Sequence, residues 1–256
     1  MNMMEYKLAK ELNQKLVDGI FDGYREYLDV RREKAKTLKV SGAYAWVKGN
    51  HIDHHVALSC ESYGVESILA KAGLTWQYLQ FIHEDENVLF IVKNARYFNA
   101  EQVDHGRDAM GRTRTKKISY MEELMQINSE VDFNYIPSDL YETSTQLELE
   151  LIEDVRLNES ENKEISKIKS NYDRFYIITY KIDEGQQIEE IRLWMPNPVN
   201  NKAYLIEDLT TYINVSHTIE IDSDLKTVLS NSGESESYPD AHAFGIVLDD
   251  VKEKDN

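Results

Sequence analysis

Apolar residues recur every four positions near the start of the chain, at Leu8, Leu12, Leu16, Ile20, Tyr24 and Leu28, with Val17 and Phe21 beside them. Lys, Glu and Arg occupy the other side, so the stretch predicts one amphipathic helix. Gly19 and Gly23 fall inside it and are expected to bend or divide it. The basic run from Arg31 to Lys36 suits a helix C-terminus, where cations meet the negative end of the dipole. Val40 to Val47 is short and rich in small and aromatic residues, and Gly49-Asn50 predicts a turn after it. Glu61 to Ala72 fits a second helix with Val65, Ile68 and Leu69 buried and Gly73 just past its end.

The period then shortens to two. Gln77 to His83 and Val88 to Lys93 predict strands around the polar turn Glu84-Asp85-Glu86-Asn87. The continuous apolar run Leu89-Phe90-Ile91-Val92 predicts a central strand. Ile118, Met121, Leu124 and Met125 mark a helix ending near Asn128, with Ser119 and Glu122 as its capping box. Beyond Pro137, Leu147, Leu149 and Leu151 alternate with Glu148 and Glu150 as a half-buried strand. Residues 158–171 are polar. Phe175 to Ile182 and Ile188 to Met195 flank Asp183-Glu184-Gly185-Gln186-Gln187 as a hairpin, closed by Pro196 and Pro198. His217 to Ile221 and Phe244 to Val251 are further strand candidates, and 230–240 reads as a loop. The pattern is α+β: a helix-rich mixed region over 1–137 and a mainly antiparallel β region over 138–256, in two domains or one shared core.

Composition narrows the class. The chain has 256 residues, 41% of them hydrophobic, with sixteen tyrosines and four prolines, which supports a packed core rather than a disordered chain. No apolar run nears the ~20 residues that cross a bilayer, and the first residues lack the basic-then-apolar signature of a secretory signal. Cys60 is the single cysteine, so neither an intrachain disulfide nor a Cys-rich zinc site can form. These features lead us to expect a cytoplasmic protein that does not act at a membrane. The formal charge of -17 repels nucleic acid at long range and favours basic partners.

Against that charge stands one segment, His105 to Lys117, with five Lys or Arg, one Asp and two glycines. An adaptable glycine-containing backbone with guanidinium forks can follow a phosphate or an acidic partner. Arg107, Arg112, Arg114 and Lys116 are its candidate contacts, joined by Lys93 and Arg96 at the end of the expected central strand. Nucleic acid or a nucleotide is therefore a candidate ligand beside a protein partner.

A second cluster, His51-Ile52-Asp53-His54-His55, sets imidazoles around a carboxylate. His51, Asp53 and His55 are candidates for binding a divalent metal or for general acid–base catalysis. On a strand all three share a face. On a helix only His51 and His55 do. Either arrangement offers at most three groups, so a metal needs another ligand from elsewhere, with Asp104, His105, Asp240, His242 and Asp249 as candidates. Asp53-His54-His55 spells the triplet of the DHH phosphoesterases, but a helix stands where their earlier aspartate-bearing strands belong. The order also differs from the metallo-β-lactamase pattern. Walker, dinucleotide-fingerprint, zinc-protease and esterase-elbow motifs are absent. Cys60 reads as a small buried side chain rather than a nucleophile. Residues 65–79 have the texture of a helix-turn-helix, but no Lys or Arg in the would-be recognition helix.

The runs Gly42-Ala43-Tyr44-Ala45-Trp46-Val47-Lys48-Gly49-Asn50-His51-Ile52-Asp53 and Ile91-Val92-Lys93-Asn94-Ala95-Arg96-Tyr97-Phe98, followed by a basic loop and a helix, resemble an uncharacterised bacterial family associated with phage and mobile elements. The resemblance implies phage–host conflict or toxin–antitoxin biology and transfers no catalytic residue. Three functions are expected in order: an interaction or regulatory protein, a metal-assisted phosphodiesterase or nuclease, and a helix-turn-helix regulator. The first requires an exposed apolar or acidic patch. The second requires the histidines and the basic loop to meet at one concave site.

Overall fold

The structure is a computed structural model that describes residues 6–72, 76–104, 119–136 and 172–230. Helix α1 runs unbroken over Lys10–Thr37 and buries Leu12, Leu16, Ile20, Tyr24 and Leu28, the stripe expected from the four-residue repeat. Gly19 and Gly23 do not divide it. They admit helix α2, Lys48–Glu61, which crosses α1 at backbone distance. A Cβ at Gly23 would sit 2.5 Å from His51 O and Ile52 Cα, and one at Gly19 would sit 2.7 Å from Val56 Cα. Gly49 and Asn50 lie in the first turn of α2 rather than in a separate turn, because the buried stripe Ile52, Val56 and Cys60 extends the helix through them.

The second expected helix is a strand. β1 covers Val65–Ala72 and pairs antiparallel with β2, Trp76–His83. Val65–Ala72 and Trp76–Leu79 are thus strand rather than two helices, and the helix-turn-helix reading fails. Ile68 and Leu69, expected in a core, are exposed. β-branched Val65 and Ile68, and a partner strand with its own alternating pattern, outweigh the local helical spacing.

Strand β3, Val88–Asn94, follows β2 through the turn at Glu84–Glu86, where Asn87 takes a left-handed φ of 53°. The hairpin strands β4, Arg174–Ile182, and β5, Ile188–Asn197, form as expected, and β6, Lys202–Asp208, adds a strand that the pattern did not signal. Pro196 lies within β5. One six-stranded sheet results, in the order β1-β2-β3-β4-β5-β6. Every neighbouring pair is antiparallel except β3–β4, which is parallel, Leu89 facing Phe175 and Ile91 facing Ile177. The fold is α+β.

Alternation along β3 and β4 divides the core. Val88, Phe90, Tyr176 and Ile178 pack toward α1 and α2. Leu89, Ile91, Phe175 and Ile177 pack toward α3, Tyr120–Met125, on the other face. The α3 capping box forms as expected: Glu122 N–H donates to Ser119 Oγ, and Ser119 N–H donates to the Glu122 carboxylate. A short 3-10 turn follows α3 and carries Asn128, which is fully buried. Asn128 Oδ1 accepts from Phe175 N–H at 2.7 Å, and Nδ2 donates to Phe175 O at 2.9 Å and to Pro196 O at 2.8 Å. Proline has no N–H to offer β4 there, so the amide completes the ladder with its own donor and acceptor. The chain ends its described course with helix α4, Ser223–Ser230, which the pattern also did not signal.

His217 to Ile221 is not a strand. Val215–His217 forms a 3-10 turn held to α1. His217 Nδ1 accepts from Asn214 N–H at 3.0 Å, so its Nε2–H donates to Asp18 Oδ1, also at 3.0 Å. The expected strands over 147–151 and 244–251, the polar stretch 158–171 and most of the 230–240 loop lie outside the described residues.

Candidate functional site

The histidine cluster sits on α2. Four residues of helix bring His51 and His55 to one face, as the helical alternative required, and that face meets α1. Glu26 of α1 receives both: its Oε2 lies 2.7 Å from His51 Nδ1 and 2.9 Å from His55 Nε2. The hydrogen bond from His51 holds the Glu26 carboxyl below its ordinary pKa, partly opposed by desolvation and helped by His55. This side of the helix pair is partly solvent-exposed.

Asp53 is not part of this group. Two residues along an α-helix turn a side chain by ~200°, so Asp53 points away from His51 and His55. Its Oδ2 accepts from Leu79 N–H at 3.2 Å. Leu79 is two residues past the last β2–β3 register pair, Phe81 with Phe90, so the carboxylate supplies an acceptor where the strands have parted. Withdrawal from water pushes the pKa of Asp53 up to about 7, against the lowering effect of the Leu79 amide. The expected set of His51, Asp53 and His55 does not converge: the two histidines meet at Glu26, and Asp53 stands apart at the Leu79 amide. Among the described residues, no group of three or more His, Cys, Asp or Glu side chains is placed to hold a metal ion. Cys60 is fully buried, and burial pushes its thiol up to about 12. It is a core side chain, as expected.

Lys93 and Arg96 lie at the C-terminal end of β3. Lys93 is partly buried in register with Thr179, and Arg96 is exposed with its guanidinium 5.9 Å from the Tyr97 ring centroid. Arg107, Arg112, Arg114 and Lys116 lie outside the described residues. Residues that flank that basic segment are described. Asp104 exchanges hydrogen bonds with Asn201 beside β6, its N–H donating to Asn201 Oδ1 at 2.8 Å and its O accepting from Nδ2 at 2.6 Å. Tyr120 enters α3 with its ring 5.2 Å from that of Tyr78. Tyr78 and α3 both belong to the sheet face opposite α1 and α2. The described anchors of the basic segment and the His51–Glu26–His55 group therefore lie on opposite sides of the sheet.

A feature that the helical spacing hid is the outer side of β1. Glu66, Ser67, Ile68, Leu69 and Lys71 are all exposed, with Ile68 at 44% and Leu69 at 61%. Cross-strand register places Leu69 opposite Leu79 on the α2 side and Ile68 opposite Gln80 on the α3 side. The strand is thus open on both faces at its middle, and among the described residues no strand pairs with its free edge. Leu58 of the neighbouring α2 is also exposed. The signal was present in the sequence as Val and Ile beside Ser and Glu, but the Ala-rich context concealed it.

Among the described residues no helix is long and apolar enough to cross a membrane. Comparison of the chain with protein-family models, curated proteins and solved structures returned no match.

Proposed function

We propose that this is an interaction or regulatory protein that works by binding a protein partner in the cytoplasm, a role compatible with phage–host conflict or toxin–antitoxin biology. The observation that supports it is the edge of β1, where Ile68 and Leu69 stand exposed and no strand pairs among the described residues. Such an edge is a template for pairing with another chain. The metal-assisted phosphodiesterase reading has less support, since His51 and His55 are engaged with Glu26 and Asp53 with Leu79.

The test is capture from the native host with three baits: the wild-type chain, an Ile68→Lys/Leu69→Lys variant and a His51→Ala/His55→Ala variant. The proposal expects one stoichiometric protein with the first and third baits and its loss with the second. Metal-dependent hydrolysis of phosphodiesters that vanishes in the histidine variant, with capture indifferent to the edge, would reject it in favour of the enzyme.

A further inference from the structure

The hairpin β1–β2 extends beyond the sheet that it starts. β1 and β2 pair along eight register positions, from Val65 with His83 to Ala72 with Trp76, whereas β2 and β3 pair only from Phe81 to His83. A two-stranded hairpin is marginal in water without a third strand or a packed face. On the inner side Asp53 meets the Leu79 amide. On the outer side of β1 no strand pairs among the described residues.

The edge has a sign. At the Val65 end, Glu61, Glu66, Glu84 and Asp85 are exposed. Burial raises the Tyr172 hydroxyl above its ordinary pKa, and the carboxylates of Glu84 and Glu66 add to that rise, which places both acids near one ring. Lys71, near the Ala72 end, is the one cation on β1. Glu66 and Ile68 share a face with Ala70, and Leu69 shares the other with Lys71.

We infer that the outer edge of β1 receives, as an added strand, an extended protein segment with two adjacent apolar residues and Lys or Arg at the end that meets Glu66. This rests on the interaction reading above and names the chemistry of its partner. The apolar pair faces Ile68 and Leu69 on the two sides of the sheet, because successive strand residues point to opposite faces. Its cations meet Glu61, Glu66 and Glu84. A second copy of the chain fits worse: each copy has a formal charge of -17, so two acidic ends would approach one another. The opposite edge of the sheet is less suited, because the start of β6 is already engaged, Ala203 N–H donating to Ala100 O.

The probe is a labelled synthetic peptide of about eight residues, the length of a common strand, with two central valines flanked by lysines. Its counterpart carries glutamates for the lysines. Full-length protein is titrated against both by fluorescence anisotropy, and its oligomeric state is read by sedimentation. The lysine peptide is expected to bind at least about tenfold more tightly than the glutamate peptide, a gap of ~1.4 kcal/mol. Binding is expected to be lost in Ile68→Lys/Leu69→Lys, and the preference for lysine to fall in Glu66→Lys, with both variants melting as the wild type does. Equal binding of the two peptides, abolished by Ile68→Lys/Leu69→Lys, would overturn the basic partner while leaving edge binding in place. Failure of both peptides to bind, or binding untouched by Ile68→Lys/Leu69→Lys, would overturn the inference at this edge. A wild-type dimer that Ile68→Lys/Leu69→Lys turns into a monomer would assign the edge to a second copy and overturn it as well.

Discussion

The two edges of the sheet are built in contrasting ways. At β6 other parts of the chain bond to the strand near both of its ends. Ala203 N–H donates to Ala100 O at 2.7 Å, Val103 N–H donates to Asn201 O at 2.9 Å, Lys202 pairs with Glu101, and Glu207 meets Lys7 and Asn13. At β1 nothing comparable is seen among the described residues, and the exposed positions include Ile68 and Leu69. Proteins ordinarily cover or charge such edges, because a free strand recruits other chains. One edge is bonded by the chain itself, while the other keeps an apolar middle, which is where the proposed partner would bind. Under the proposed function the same contrast separates stability from binding: substitutions near β6 should destabilise the fold, and substitutions on β1 should weaken capture of the partner.

Asn128→Ala should break the closed side most. It strips partners from Phe175 N–H, Phe175 O and Pro196 O in a buried place, and a loss of about 3 kcal/mol or more is expected in urea unfolding. A loss under about 1 kcal/mol would mean that water replaces the amide and that the ladder does not depend on it. Ala203→Pro removes the donor to Ala100 and should cost roughly 2–3 kcal/mol. If it proves neutral, the covering of β6 is loose and the two edges are more alike than described.

Asp53→Asn probes the inner side of the β1–β2 hairpin, and its effect depends on pH. In the folded chain the carboxyl holds its proton up to about 7, against an ordinary value of 3.8. Between those values the unfolded chain ionises first, so the contribution of Asp53 to stability is full below the lower value and declines as pH rises through the higher one. Asparagine stays neutral and still accepts from Leu79. The variant should therefore match the wild type near pH 4 and exceed it by on the order of 2 kcal/mol near pH 8. A gain at low pH instead would reverse the assigned sign. The smallest effect belongs to Ile68→Lys with Leu69→Lys, which should shift stability by no more than ~0.5 kcal/mol because both side chains already face water. A cooperative loss as large as that of Asn128→Ala would show that β1 is packed and end the comparison.

Where the sequence carried a long, single-period signal, it was legible. The four-residue repeat of α1, the apolar run of β3, the hairpin of β4 and β5 and the Ser119–Glu122 cap all fall where their patterns place them. Failures came where tertiary contacts decide. Val65 to Ala72 has helical spacing, yet a partner strand makes it β1. Gly19 and Gly23 look like interruptions until a second helix is seen lying on them. At the candidate site, the pairing of His51 with His55 followed from helical spacing. Their shared partner Glu26 did not, because it comes from another helix that no local rule connects to them. The separation of Asp53 was legible in principle, since residues two apart on a helix cannot share a face.

The parallel contact between β3 and β4 bears on how the chain reaches this state. β1 to β3 form one meander and β4 to β6 another, each from strands close in sequence. Joining them requires bringing Val88–Asn94 against Arg174–Ile182 across the whole of residues 95–173. Closing so long a loop has an entropic cost before any pairing offsets it, and rates of folding fall as contacts become less local. The two meanders are therefore expected to form first, and their union to set the rate. Until then Leu89-Phe90-Ile91-Val92 and Phe175-Tyr176-Ile177-Ile178 are apolar and each lacks a partner on one edge, so the newly made chain is most exposed to aggregation in the very strands that later become its centre.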